Sequence, residues 1–154
     1  MFWFDKNDAR AVFMDMRNGE FPKDFGTPQT KGRRPVVVKP DVTADFTAIP
    51  FPSESFSLVV FDPPHHTNNR MGNTCSIQKN CYGVLLPGWE EMIEQGFREC
   101  FRVLKPSGVL IFKWCSKEIP LKRIMALTPE KPLFGHKSGR QSQTHWLAFI
   151  KVGV

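Results

Sequence analysis

Apolar residues occur along the chain in short runs, and three of these runs end at an aspartate. Residues 10–15, 41–45 and 57–62 form the three runs, which end at Asp15, Asp45 and Asp62. A short apolar run closed by a turn residue is typical of a buried strand. We therefore predict three strands that each carry an aspartate at the carboxyl end, and a further short strand at residues 36–38.

A helical period runs through residues 87–103. Apolar side chains recur there at steps of three or four, namely Trp89, Met92, Ile93, Phe97, Phe101 and Leu104. This stripe predicts an amphipathic helix packed against the core, which ends at the proline and glycine of residues 105–108. Beyond it we predict a strand over 109–115, a short helix over 120–127, and two strands over 132–136 and 144–152 around a polar hairpin.

The remaining segments have no sustained period. Residues 17–35 are rich in glycine, proline and charge and are predicted to form a long loop, and the prolines of residues 49–53 exclude a helix there. The asparagine-rich segment 67–83 is interpreted either as a substrate lid, because it directly follows residues 62–66, or as an ordinary surface loop.

Strands separated by a helix or by long crossovers indicate an α/β fold with an open, mostly parallel sheet. A chain of 154 residues is the size of one domain, so we expect a single domain over residues 1–154. Ligands of such sheets bind at the carboxyl ends of the strands. Asp15, Asp45 and Asp62 are therefore expected at one edge.

The composition is that of an ordinary globular protein, with 41% hydrophobic and 23% charged residues. The apolar runs are far shorter than the roughly 20 residues of a membrane span, and charged residues interrupt the amino terminus. We therefore expect no membrane association and a cytoplasmic location. The four cysteines form no Cys-x-x-Cys pair and are expected to be reduced thiols.

The net charge of +6 is distributed unevenly. Residues 1–100 contain 11 basic and 13 acidic residues, whereas residues 101–154 contain 10 basic and 2 acidic residues. A basic surface attracts polyanions, and nucleic acid is the first candidate partner. The alternative interpretation is a basic face that serves only solubility.

Residues 62–65, Asp-Pro-Pro-His, resemble the Asp/Asn-Pro-Pro-aromatic motif of class I S-adenosylmethionine (SAM) dependent methyltransferases that act on amino groups of nucleic acids. Residues 45–62 resemble that family's stretch between the ends of its third and fourth strands, and residues 101–112 resemble its Leu-Lys-Pro-Gly-Gly turn and fifth strand. The resemblance covers residues 41–115 well and the last two strands loosely. It implies a Rossmann-like sheet and methyl transfer from SAM to adenine N6 or cytosine N4.

The resemblance also implies roles for individual residues. Asp15 would bind the ribose hydroxyls of SAM, Asp45 the adenine amino group, and Phe46 the adenine ring. The methyl-acceptor site would consist of Asp62, Pro63, Pro64 and His65. In the lid interpretation of the following loop, Asn68, Asn69 and Arg70 would contact base and phosphate, and His66 is a further candidate for a substrate contact.

The acceptor motif has a physical rationale. The exocyclic amine of a base is a poor nucleophile, because its lone pair is delocalised into the ring. Two acceptors, the Asp62 carboxylate and the Pro64 carbonyl, would hold its two N–H bonds so that the lone pair faces the methyl group. A ring at the fourth position of the motif would stack on a base that is flipped out or single-stranded.

Two features depart from the family pattern. His65 stands where Tyr, Phe or Trp is usual, and it offers less π surface but adds hydrogen bonding and titration. The family's first strand and glycine-rich loop are not visible before Asp15. We therefore expect a trimmed cofactor site in which Phe4, Asp5 and Lys6 replace that loop, or a site completed by another subunit, such as a homodimer partner.

Other chemistries receive less support. His65, His66, Cys75 and Cys81 match no common zinc spacing, so no metal site is expected. A hydrolase elbow, a P-loop and a Gly-x-Gly-x-x-Gly motif are all absent from the sequence. Two alternatives to the nucleic-acid methyltransferase stay open: a catalytically silent relative that binds nucleic acid or a partner, and a small-molecule methyltransferase, which residues 49–53 also resemble.

Overall fold

The computed structural model describes residues 3–21, 35–67, 83–139 and 142–153, which form an α/β structure. The helices and strands, in chain order, are β1 (Met14–Asp15), β2 (Gly19–Phe21), β3 (Val36–Val38), β4 (Val42–Thr43), β5 (Phe56–Phe61), α1 (Trp89–Val103), β6 (Leu104–Cys115), α2 (Leu121–Met125), β7 (Phe134–Lys137) and β8 (Thr144–Ile150). Neither of the described helices is long and apolar enough to cross a membrane.

The described strands form three sheets of mixed direction. β1 pairs with β4 in parallel, and β2 pairs with β3 antiparallel. The third sheet has the order β5-β6-β8-β7, in which β5 and β6 are parallel and the other two pairings are antiparallel. The sequence prediction of a mostly parallel sheet is therefore not confirmed. Because a hairpin joins β7 and β8, these two strands run in opposite directions, and one of them must oppose β5 and β6.

The core lies between α1 and one face of the four-stranded sheet. Ile93, Phe97 and Cys100 on α1 are buried against Phe112 and Phe149 on the sheet, and the ring centroids of Phe97 and Phe112 are 4.9 Å apart. The apolar stripe that predicted the helix is the face that packs here. Burial of such side chains contributes about 25 cal/mol per Å² of apolar area, so this contact supplies much of the driving force for folding.

Several strands differ in extent from the sequence predictions. The run 10–15 forms a strand only at Met14–Asp15, because the backbone N–H of Phe13 is bound by the Asp41 carboxylate at 2.8 Å. β2 lies inside the segment predicted as a loop. Its three residues, which include a glycine and a glutamate, are too few to show the alternation of apolar and polar side chains that predicts a strand. Residues 105–108 form an irregular part of β6, where the pairing jumps from Phe56–Leu104 to Leu58–Val109.

The amino-terminal residues that the structure describes are irregular. Residues 3–13 contain no strand, and Trp3 packs edge-on against Phe13 with ring centroids 4.7 Å apart. In the described part of the chain, the parallel pair β1–β4 and the sheet that begins with β5 are not hydrogen-bonded to each other. The single continuous sheet of a doubly wound fold is therefore not seen in the described residues.

Candidate functional site

Asp62 directly follows β5 and lies beside Lys113 of β6. The register pairs Phe61 with Phe112, so the next residues of the two parallel strands are neighbours. The Lys113 ammonium donates to Asp62 Oδ2 at 2.8 Å, and only 16% and 18% of the two side chains are exposed. Lys113 Nζ also lies 5.7 Å from the ring centroid of Trp146 on β8. The Asp62 carboxylate is thus held at a fixed position at the carboxyl edge of the sheet.

The residues after Asp62 are irregular, yet contacts with residues 83–85 fix them. Pro63 is buried, and Pro64 packs against Gly83, where a Cβ would approach Pro64 Cγ to 3.2 Å. Gly83 has φ +74°, a conformation that favours glycine. The backbone N–H of Leu85 donates to the His66 carbonyl at 2.8 Å. Because proline lacks an N–H, this segment offers carbonyl acceptors but few backbone donors.

The His65 ring lies between two other rings. Its centroid is 4.3 Å from that of His66 and 6.1 Å from that of Trp114, to which it is edge-on. Burial lowers the pKa of His65, and His66 and Lys113 lower it further, while Asp62 and the Pro63 backbone act in the opposite direction. His65 is therefore uncharged at neutral pH. Its half-buried ring is the group that the sequence placed against the substrate base.

A carboxylate that sequence analysis missed fixes the end of this segment. Glu118 Oε1 is 2.9 Å from His66 Nδ1, and Glu118 Oε2 accepts hydrogen bonds from the backbone N–H and the hydroxyl of Thr67 at 2.8 and 2.9 Å. Burial alone would raise the pKa of Glu118, but these hydrogen bonds outweigh it and lower the pKa. The sequence offers one indication of a special role for Glu118, since it is one of only two acidic residues in the basic segment 101–154.

The parallel pairing of β1 and β4 brings the segments of the other two aspartates together. Asp15 is the register partner of Thr43, and the Ala44 backbone N–H donates to the Asp15 carbonyl at 3.2 Å, so Asp45 lies two residues beyond the partner of Asp15. The Arg17 guanidinium binds the Asp15 carboxylate at 2.7 Å. Burial alone would raise the pKa of Asp15, but Arg17 holds it below its usual range. Asp45 is exposed, and its Oδ1 accepts two hydrogen bonds from Thr47.

Phe46 follows β4 in the chain and contacts the end of β5. Its ring packs edge-on against Phe61, the last residue of β5, with centroids 5.2 Å apart. The ring also lies over Gly96 of α1, where a Cβ would approach Phe46 Cδ2 to 2.7 Å. Asp45 and Asp62 each adjoin one of the two packed rings in sequence. This contact joins the segments that carry Asp45 and Asp62, while no described hydrogen bond or ion pair joins the two aspartates themselves.

The remaining candidate residues are not joined to this region by a described contact. Phe4 and Lys6 are exposed, and the Asp5 carboxylate accepts the Asn7 backbone N–H at 2.8 Å in a local turn. Asn68, Asn69 and Arg70, like Cys75 and Cys81 of the zinc alternative, lie outside the described residues. Among the residues that are described, no cluster of metal-binding side chains occurs.

Exposed lysines surround the edge that carries Asp62. β8 opposes β6, and β7 opposes β8, so the ends of β6 and β7 lie at the same edge. Lys117 follows β6, Lys122 lies on α2, and Lys137 ends β7. All three are exposed, and none forms an ion pair with another described residue. This edge therefore combines half-buried polar groups with an exposed positive rim.

Comparison with known proteins gives a limited result. No protein-family model and no curated protein matches the chain. Solved structures that match include those of a "Putative DNA Modification Methylase" from Thermus thermophilus. Its complex with SAM has 18% identity and a TM-score of 0.43, and the match covers 71% of this chain and 54% of that chain. A second structure of the same protein has 19% identity and a TM-score of 0.44, and the match covers 72% of this chain and 53% of that chain. The chain thus spans about half the length of those structures.

Proposed function

We propose that the chain is a SAM-dependent methyltransferase that methylates an exocyclic amino group of a nucleic-acid base, adenine N6 or cytosine N4. One observation carries the proposal: the motif of residues 62–65 lies at the carboxyl end of β5, with the Asp62 carboxylate fixed by Lys113 and the His65 ring close by. The resemblance of residues 41–115 to amino-methyltransferases supports the same function.

The described residues fit the adenosine half of SAM, which when bound would supply an electrophilic methyl group. Asp45 Oδ2 accepts none of the described hydrogen bonds and would bind the adenine amino group, with the Phe46 ring beside it. Asp15 would bind the ribose hydroxyls and share its carboxylate with Arg17. The methionine half would depend on Phe4, Asp5 and Lys6, or on another subunit.

The acceptor residues would act by alignment. Asp62 Oδ1 and the Pro64 carbonyl would accept the two N–H bonds of the amine, and the His65 ring would lie against the base. When bound, SAM would supply the methyl group: the nitrogen lone pair would form the new N–C bond while the carbon–sulfur bond breaks and its electron pair stays on sulfur. Asp62 would accept the one proton that the nitrogen releases and pass it to water.

The proposal is tested first by titrating the protein with SAM and with S-adenosylhomocysteine in a calorimeter. We expect micromolar binding that Asp45→Ala weakens. With labelled SAM and single-stranded oligonucleotides, Asp62→Ala should abolish methyl transfer yet bind SAM nearly as the wild type does. Wild-type rates in both variants would contradict the site assignment, and no SAM binding to the wild type would contradict the function.

A second candidate is a catalytically silent protein that binds nucleic acid or a partner. It is favoured by the fact that two of the three carboxylates already have cationic partners in their own chain, Arg17 for Asp15 and Lys113 for Asp62. Such a protein would bind nucleic acid in a salt-sensitive manner that SAM does not change. A small-molecule methyltransferase, by contrast, would be active without any polyanion.

A further inference from the structure

The ion pair between Asp62 and Lys113 determines the charge of the proposed acceptor site. Lys113 Nζ donates a hydrogen bond to Asp62 Oδ2 at 2.8 Å. The other carboxylate oxygen, Asp62 Oδ1, takes part in none of the described hydrogen bonds. Both side chains are largely shielded from water, so their charges are screened less than those of a surface pair. The carboxylate therefore presents one acceptor oxygen and has its negative charge balanced.

The other groups near the motif offer no free anionic oxygen to an incoming amine. The lowered pKa of His65 favours its uncharged form at neutral pH. The lowered pKa of Glu118 keeps this group anionic, but both of its oxygens are occupied by His66 and Thr67. On the other side of Lys113, the register places Trp146, whose ring is uncharged and lies 5.7 Å from Nζ. An incoming amine thus meets a balanced ion pair with aromatic rings around it.

We propose that Lys113 is a positioning and specificity-determining residue, which makes the acceptor site select an uncharged aromatic amine over a protonated alkylamine. The inference rests on the proposed function. An unpaired carboxylate would attract an alkylammonium ion, which has no lone pair to methylate and would block the site. With Lys113 in place, such an ion would approach a like charge, whereas the neutral amino group of a base can still donate to Oδ1.

The test compares Lys113→Met, Lys113→Arg and the control Lys105→Met, which changes an exposed lysine at the opposite end of the same strand. The substrate is a single-stranded oligonucleotide containing adenine and cytosine, and butylammonium serves as the cationic competitor. We expect Lys113→Met to lower kcat about 100-fold with little change in KM, because a displaced carboxylate misaligns the amine. Butylammonium should inhibit the residual activity of this variant but not the wild type.

Lys113→Arg keeps the positive charge and should recover most of kcat without inhibition by butylammonium, and Lys105→Met should match the wild type. If Lys113→Met kept the wild-type kcat, or lost it without becoming sensitive to butylammonium, the proposed role of Lys113 would be overturned while the methyltransferase stands. If the wild type methylated no oligonucleotide, the proposed function would fail, and this inference with it.

Discussion

At the scale of single residues, Glu118 links the acceptor motif to the loop after β6. It accepts three hydrogen bonds from His66 and Thr67, and its side chain is only 9% exposed. Hydrogen bonds to a buried charged group are worth about 1.5–3 kcal/mol, more than bonds between neutral groups. The position of residues 65–67 therefore depends on the charge of one side chain that lies far away in the sequence.

We predict that Glu118→Gln lowers the free energy of unfolding by about 1–2 kcal/mol at neutral pH. Because folding lowers the pKa of Glu118, its contribution is fully present above the ordinary glutamate value of 4.5 and is lost as the pH falls through the lower folded value. The difference between wild type and variant should therefore shrink below about pH 4.5. Urea unfolding at several pH values measures this, with Glu130→Gln as the control, and a constant difference would contradict it.

At this scale the sequence predicts the three aspartates but neither Lys113, which binds Asp62, nor Glu118, which binds His66 and Thr67. Asp15, Asp45 and Asp62 were singled out because each ends an apolar run, and the structure places Asp15 and Asp62 directly at strand ends. Lys113 and Glu118 were not singled out. Their roles arise from contacts across 51 and 52 positions of the chain, which local patterns do not encode.

At the scale of elements, Gly96 allows α1 to approach the site. A Cβ at this position would lie 2.7 Å from both Phe46 Cδ2 and Phe61 Cζ. The glycine therefore lets the helix contact the two rings that join the cofactor and acceptor sides. Arg102 on the same helix donates to the Ile49 and Phe51 carbonyls at 2.8 Å each, which fixes the proline-rich turn against α1.

Gly96→Ala should therefore destabilise the protein by about 1–3 kcal/mol, because buried rings have to move. A glycine-to-alanine change inside a helix would otherwise stabilise by up to about 1 kcal/mol. The same variant should bind SAM more weakly, since Phe46 is displaced. Thermal unfolding and calorimetry provide the two measurements. Arg98→Ala, at an exposed position on the helix, should change stability by less than about 0.5 kcal/mol. If Gly96→Ala were as stable as the wild type, the rings of Phe46 and Phe61 would not pack closely against Gly96.

At the scale of the whole molecule, the distribution of charge distinguishes the two ends of the four-stranded sheet. Lys117, Lys122 and Lys137 lie near the carboxyl end of β6 together with Asp62. Lys151 lies at the opposite end, where its backbone N–H bonds the Gly108 carbonyl and its ammonium binds the Leu104 carbonyl. At the first end, exposed cations without described ion pairs would contact phosphates beside the proposed acceptor site.

We predict that Lys117→Glu combined with Lys137→Glu weakens binding of single-stranded nucleic acid. It should also reduce the slope of log affinity against log salt by about 0.7 for each lost phosphate contact. Lys105→Glu makes half of this charge change at the other end of β6 and should have much less than half of the effect. Fluorescence anisotropy at several salt concentrations measures both, and an effect of Lys105→Glu that reaches half of that of the double variant would indicate attraction by net charge alone.

The sequence by itself determined the local features: the amphipathic helix α1, the strands that end at Asp15 and Asp62, the non-helical residues 49–53 and the basic carboxyl-terminal third. These follow from periodicity, proline geometry and composition, which act over a few residues. Tertiary structure decided the mixed direction of the sheet, the ion pair of Asp62 with Lys113, and the contact of Phe46 with Phe61 over Gly96. Each of these depends on which distant segments pack together, and many apolar surfaces can pack on a given helix or strand, so local sequence does not select the partner.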